Sequence, residues 1–228
     1  MREQRFVLIA GLATAVLLAA CSKGGTSAGS TTGAPAPSGT GDAAALQAAA
    51  QAAAGSTGTT FKAVYSSSES GSSSSPESIT VEQKPPKSRF DAAGGSVISD
   101  GSKTDYCSTT NGVQACYSSP GVSPVASLAQ IFSPTNAAQF FRAASAALAS
   151  AGAGQSVKVT HETFAGQSAT CANVSSTDGS GKYCVLANGV LAAVSDGGSS
   201  FQLTNYSTSP PDTDFVLPAA SPLPSGVG

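Results

Sequence analysis

Ser133-Pro134-Thr135-Asn136-Ala137-Ala138-Gln139-Phe140-Phe141-Arg142-Ala143-Ala144-Ser145-Ala146-Ala147-Leu148-Ala149-Ser150 decides the fold class, because it interrupts a chain that otherwise alternates with a period of two. Ser133 supplies a capping hydroxyl and Pro134 suits the first helical position, which predicts a helix from about Pro134 to Ser150. Ala137, Phe141, Ala144 and Leu148 then share one face, with Phe140 beside them and Gly152 available as the stop. Ser123-Pro124 repeats the start signal, so two helices are expected in this insertion.

On both sides of the insertion the pattern is that of strands. Upstream, Phe61, Ala63 and Tyr65 alternate with Lys62 and Val64, and after a Ser-rich loop from Ser66 to Ser75, Ile79 and Val81 alternate with Thr80 and Glu82. Pro85-Pro86 breaks the next ladder, and short strands near Ser88 to Asp91 and Ser96 to Ser99 lead to an Asp100-Gly101 turn. Downstream, Val157, Val159 and His161 share a face, and strands follow at Gln167 to Val174 and Lys182 to Ala187. Asn188-Gly189 reads as a two-residue type I′ hairpin turn into Val190 to Ser195. Asp196-Gly197-Gly198 turns the chain into a last strand, Phe201 to Tyr206, before Phe215-Val216-Leu217-Pro218. A first helix, Ala43 to Ala54, is capped by Asp42 and stopped by Gly55. Helix, strands, helical insertion, strands: such segregation predicts an α+β domain with a large curved antiparallel sheet and helices on one face.

The N-terminal end carries Arg2 and Arg5, then an uncharged run from Phe6 to Ala20. The run is shorter than the about 20 helical residues that span a bilayer, and its charged-then-apolar layout is that of a secretory signal. Leu18-Ala19-Ala20-Cys21 looks like the lipobox of bacterial lipoproteins, in which cleavage precedes the cysteine and its thiol carries diacylglycerol. The expected organisation is a signal at 1–20, a lipidated Cys21 with a Ser/Gly/Thr/Pro tether over 21–41, a domain at 42–218 and an unstructured tail at 219–228. The expected location is the extracytoplasmic face of a cell membrane, held by lipid.

With Cys21 acylated, Cys107, Cys116, Cys171 and Cys184 remain in an oxidising compartment, where disulfides persist. A type I′ turn at Asn111-Gly112 sets Thr110 opposite Val113, and stepping outward sets Cys107 opposite Cys116 as a non-hydrogen-bonded pair. Cys171 and Cys184 bracket a loop from Ser175 to Gly181 and face each other likewise. The expected bridges are Cys107–Cys116 and Cys171–Cys184, each contributing about 3 kcal/mol in the chain-entropy model. Zinc is the competing reading, and the absence of close CxxC pairs speaks against it.

Lys84-Pro85-Pro86-Lys87-Ser88-Arg89-Phe90, followed by Val97-Ile98-Ser99-Asp100-Gly101, resembles the basic-proline stretch and the valine-rich strand of the LolA-type lipoprotein carriers. The order of elements resembles that superfamily, including the mycobacterial LppX and LprG type lipoproteins, over most of Ala43 to Pro218. Lys84 stands where the soluble carriers have an Arg, and Ser88 where they have an aromatic. The resemblance implies an open half-barrel of antiparallel strands with helices packed on the concave face, and an apolar cavity that holds acyl chains. Carried onto this sequence, the ligand would lie among Phe61, Tyr65, Ile79 and Val81 of the sheet and Phe141, Ala144 and Leu148 of the helix. Lys84, Lys87 and Arg89 would meet an anionic head group at the rim.

The formal net charge of −2 gives no basic stripe for nucleic acid. No catalytic constellation, metal set or cofactor motif emerges. His161 is the sole histidine, so His161-Glu162 cannot begin HExxH, and a Ser-centred triad would depend on it alone. Gly179-Ser180-Gly181-Lys182 ends like a phosphate loop but is followed by Tyr183, and reads as a hairpin loop. The expectation is a non-enzymatic lipoprotein that binds or transfers lipid. The alternative is an envelope interaction or sensor module with a protein partner on the same scaffold.

Overall fold

The computed structural model describes residues 39–69, 76–110, 113–118, 126–150, 155–177, 179–196 and 198–219. The expectations for the signal run, Cys21, the tether up to residue 38, the Asn111-Gly112 and Ser123-Pro124 signals, Gly152 and the tail from 220 lie outside the described residues.

Helix α1 spans Gly39–Gly55 and is followed by a 3-10 turn, Ser56–Gly58. It is rich in alanine, the strongest helix former, and it buries Leu46, Ala49, Ala50 and Ala53, spaced as one helical face. Strands β1 (Phe61–Glu69), β2 (Ser78–Lys84), β3 (Lys87–Ala92), β4 (Gly95–Ser99), β5 (Thr104–Thr110) and β6 (Val113–Tyr117) form the first meander. Helices α2 (Ala126–Ile131) and α3 (Pro134–Ala149) make the insertion. Strands β7 (Ser156–Phe164), β8 (Gln167–Ser176), β9 (Gly179–Leu186), β10 (Leu191–Ser195) and β11 (Ser199–Ser207) form the second meander, and a 3-10 turn, Asp212–Phe215, follows.

All strands join one curved, unclosed antiparallel sheet in the order β6-β5-β4-β3-β2-β1-β11-β10-β9-β8-β7. The first and last strands therefore pair in the middle, and β6 and β7 are the two edges. The chain leaves the sheet at one edge and re-enters at the other, so the insertion between β6 and β7 has to cross a face. Crossing it is what lets α2 and α3 cover apolar side chains there. The result is the expected α+β open half-barrel.

Several turns differ in detail from the sequence reading. Pro85-Pro86, joined by a cis peptide bond, does not end the ladder; it is the two-residue link of the β2–β3 hairpin, with Lys84 opposite Lys87. The β9–β10 connection is a three-residue loop, Ala187-Asn188-Gly189, closed by Gly189 N–H to Leu186 O at 2.8 Å. A type I′ turn needs positive φ at both central residues, and here only Gly189 has it, at 81°. A side chain there would collide with the Ala52 carbonyl of α1, so the glycine also permits the hairpin to lie against the helix. Gly179-Ser180-Gly181-Lys182 is strand β9 rather than loop, with Gly181 opposite Val174. At the Asp100-Gly101 turn, the N–H groups of Lys103 and Ser102 and the Ser102 hydroxyl hold the Asp100 carboxyl down at about 2.

Both cross-strand cysteine pairs are disulfides. Cys107–Cys116 joins β5 to β6 and Cys171–Cys184 joins β8 to β9, with Cα separations of 4.0 Å in each.

Candidate functional site

Strand alternation and register place one apolar row on the helix-covered face. Phe61, Ala63 and Tyr65 point there from β1, with Ile79 opposite Tyr65 and Val81 opposite Ala63. Val81 faces Phe90, Phe90 faces Val97, and on the other side Leu203 faces Tyr65. Phe61, Tyr65, Ile79 and Phe90 are all buried.

Phe132, in the two-residue link between α2 and α3, covers this row. Its ring lies 4.8 Å from that of Tyr65 and 5.5 Å from those of Phe90 and Phe201. Leu128 and Ala129 of α2 pack beside it. Phe132 is nonetheless only partly buried. Ser133, next along, caps α3 by accepting from the Asn136 N–H at 3.2 Å, which fixes where that helix begins.

Between Phe132, Pro134 and Ala137 on one side and Phe61, Tyr65, Val81 and Leu191 on the other is a cavity of about 30 Å³. That is room for one or two water molecules, not for an acyl chain. Tyr65 and Gln83 are among the hydrogen-bonded side chains that border it. The buried Tyr65 hydroxyl donates to Leu191 O at 2.8 Å, and burial pushes its pKa far up, so it stays a donor. The Gln83 amide donates to the carbonyls of Ser56, Thr57 and Thr59 at 2.8, 2.8 and 2.9 Å, closing the end of α1 onto β2.

The expected ligand residues do not form one site. Phe61, Tyr65, Ile79 and Val81 belong to the Phe132 half, whereas Phe141 and Ala144 are buried against Leu46, Ala49, Ala50 and Ala53 of α1 and against Ala172 and Val185 of the sheet. Leu148 packs at the margin of that second cluster. The reason is the course of the insertion: α3 packs over β7, β8 and β9 beside α1, and its first turn, with the α2–α3 link, borders the side chains of β1 and β2. Phe140 continues the layer by stacking on Tyr183 at 4.6 Å, and the Tyr183 hydroxyl donates to Ile131 O at 3.1 Å.

The expected head-group rim is on the other face. Lys62, Glu82 and Arg89 form a row there by register, and the 3-10 turn Asp212–Phe215 lies over it. Lys84 and Lys87 reach Asp212 at 2.8 and 3.7 Å, and Arg89 holds Asp91 while donating to Asp214 O at 2.8 Å. These cations are engaged by the protein's own C-terminal segment and do not border the cavity.

His161 is exposed on the edge strand β7. Its neighbour Glu162 points to the opposite face and pairs with Lys182 at 2.5 Å, which lowers the Glu162 pKa. Glu162 also lies beside Cys171 and Cys184, but those sulfurs are joined to each other and are not free to ligate.

Sequence reasoning missed Phe132, Phe90, Phe201 and Leu191. Phe132 could have been noticed as the aromatic set between an apolar helical run and the Ser133-Pro134 start signal. The others needed the register.

No protein-family model and no curated protein matches the chain. Among solved structures it is similar to MucB, at 15% identity over 79% of this chain with a TM-score of 0.49, and it spans 64% of the MucB chain. It is similar to LprF from Mycobacterium bovis, at 10% identity over 75% of this chain and 94% of that one, TM-score 0.39. A LolA superfamily protein from Nitrosomonas europaea is similar at 9% identity over 75% of this chain and 97% of that one, TM-score 0.32.

Proposed function

We propose that the protein is a membrane-anchored extracytoplasmic lipoprotein that takes an acyl chain into the place now filled by Phe132. One observation carries the reading. A row of buried aromatic and aliphatic side chains on five strands is capped by a half-buried phenylalanine on a short link, next to a cavity of about 30 Å³. An acyl chain that displaces the ring gains about 0.8 kcal/mol per buried methylene. A few methylenes offset the lost ring contacts, and longer chains leave a surplus for retention.

Binding of cis-parinaric acid, a fluorescent fatty acid, tests it, together with mass spectrometry of lipids extracted from the purified full chain. Phe132→Ala should raise affinity by about tenfold, because the competing side chain is gone. Absence of binding by both wild type and Phe132→Ala would sink the carrier reading. The second reading, an envelope interaction or sensor module, then stands, and the filled core under α1 and α3 supports it. The anchor is tested separately: Cys21→Ser should release the chain from membranes or stall its processing, and unchanged membrane association and mass would refute it.

A further inference from the structure

The two disulfides sit in unlike surroundings. Cys171–Cys184 lies between β8 and β9, with β7 and β10 paired on either side. Cys107–Cys116 lies in the edge hairpin of β5 and β6, with one neighbouring strand only. An edge position should leave a bridge accessible, yet Cys107 is 0% and Cys116 2% exposed. Among the described residues, Ile98 of β4 and Leu217, which comes from beyond the last strand, pack on it.

Leu217 is delivered there by the segment from Pro210 to Leu217. Pro210 and Phe215 are buried, while Asp212 is exposed and Asp214 partly so. Among the described residues the segment joins no strand ladder, and it is held by the burial of Pro210 and Phe215 together with ion pairs. Asp212 binds Lys84 at 2.8 Å, and Asp214 binds Lys62 at 2.9 Å while its carbonyl accepts from Arg89 at 2.8 Å. Lys62 also pairs with Glu82 at 2.9 Å, so one ammonium joins the strap to a buried carboxylate of β2. Exposed ion pairs contribute little each and weaken with salt. A strap this short, fastened by a few apolar side chains and ion pairs and by no ladder, opens locally at a free energy below that of global unfolding.

We propose that Cys107–Cys116 is a thiol-exchange site gated by the C-terminal strap: the strap lifts, the bridge is exposed, and an external dithiol opens it while Cys171–Cys184 stays closed. The exchange balances. One thiolate of the dithiol attacks a cysteine sulfur, the other cysteine leaves as thiolate and takes up a proton. The second thiol, on losing its proton, attacks the mixed disulfide, freeing the first cysteine and leaving the dithiol as its cyclic disulfide. The reading is independent of whether the protein binds lipid.

The test is timed reduction of the full chain by dithiothreitol under native conditions, quenched with iodoacetamide and mapped peptide by peptide. Wild type should open Cys107–Cys116 first. Leu217→Ala, and separately Asp212→Asn with Asp214→Asn, should speed that bridge about tenfold while Cys171–Cys184 keeps its wild-type rate as the internal check on folding. Equal rates at the two bridges in wild type, no acceleration in either variant, or acceleration of both bridges together would each overturn the proposal.

Discussion

The half of the sheet under α1 and α3 and the half under Phe132 present similar apolar faces and are covered in different ways. Over β7 to β9, two helices of 17 and 16 residues bring alanines close to the strands, and Leu46 and Phe141 fill what remains, both at 0% exposure. Over β1 to β4 the cover among the described residues is a six-residue helix, the first turn of α3 and one aromatic ring that is still partly exposed. Small side chains on long helices make a close, continuous layer, because backbones can approach and little surface is left over. A single large side chain on a short link buries area with few neighbours to hold it. The first half is a close-packed layer, and the second is the part that, on the proposed reading, an acyl chain would displace.

Phe141→Ala is expected to produce the largest effect, a loss of about 3–5 kcal/mol in urea denaturation, because the ring is enclosed and its site cannot collapse. The same truncation at Phe132 should cost about 1–2 kcal/mol, since part of its surface is already in water. Equal losses at the two positions would erase the distinction between the halves.

Ala144→Trp sharpens it further. Ala144 is 3% exposed between α1 and α3, so an indole there overpacks the helix pair, for about 1–3 kcal/mol of destabilisation. If the acyl site lies under Phe132, parinarate affinity should change little in the folded fraction of this variant. A loss of binding with stability intact would move the site to the helix half.

The smallest effect concerns the strap on the opposite face. Lys84 holds the Asp212 carboxyl below its usual range, and Lys62 does the same for Asp214. Lowered folded-state values mean that their stabilisation is present above the unfolded carboxylate pKa, near 4, and is lost as pH falls through the folded values. Burial pushes Glu82 the other way. Its raised value means that the folded form takes up a proton more readily, so this group adds stability as pH drops toward its unfolded value, near 4.3. The strap should therefore remain fastened at mildly acidic pH and loosen only below about pH 4. Hydrogen exchange at Asp214 and Val216, followed against amides of α3, reads it. Loosening of both regions together would show that the strap is not an independent unit.

Much of the local structure was legible in the residues. Ser133-Pro134 set the start of α3 to the residue, and the stepping outward from Thr110 and Val113 set Cys107 opposite Cys116. Asp100-Gly101 set its turn, and alternation assigned Phe61, Ala63 and Tyr65 to one face. Where the reading departed from the structure, a long-range contact had intervened. Asn188-Gly189 has the composition of a two-residue turn, but the hairpin leans on Ala52 of α1 and closes as a three-residue loop. Lys84, Lys87 and Arg89 read as a rim for an anionic head group because nothing near them in sequence is acidic apart from Glu82 and Asp91. Their other partners, Asp212 and Asp214, are more than a hundred residues away.

The sequence by itself determined the periods, the Ser133 cap, the Asp100-Gly101 turn and the two cysteine pairs, since each depends on interactions within a few residues or across one hairpin. Only the tertiary structure decided that β1 pairs with β11 in the middle of the sheet. That one pairing makes β6 and β7 the edges, sends the insertion across the face between them, and separates Phe141 and Ala144 from Phe61 and Tyr65. Strand alternation records which face a side chain takes but not which strands become neighbours, and the two halves of the apolar face follow from the neighbours.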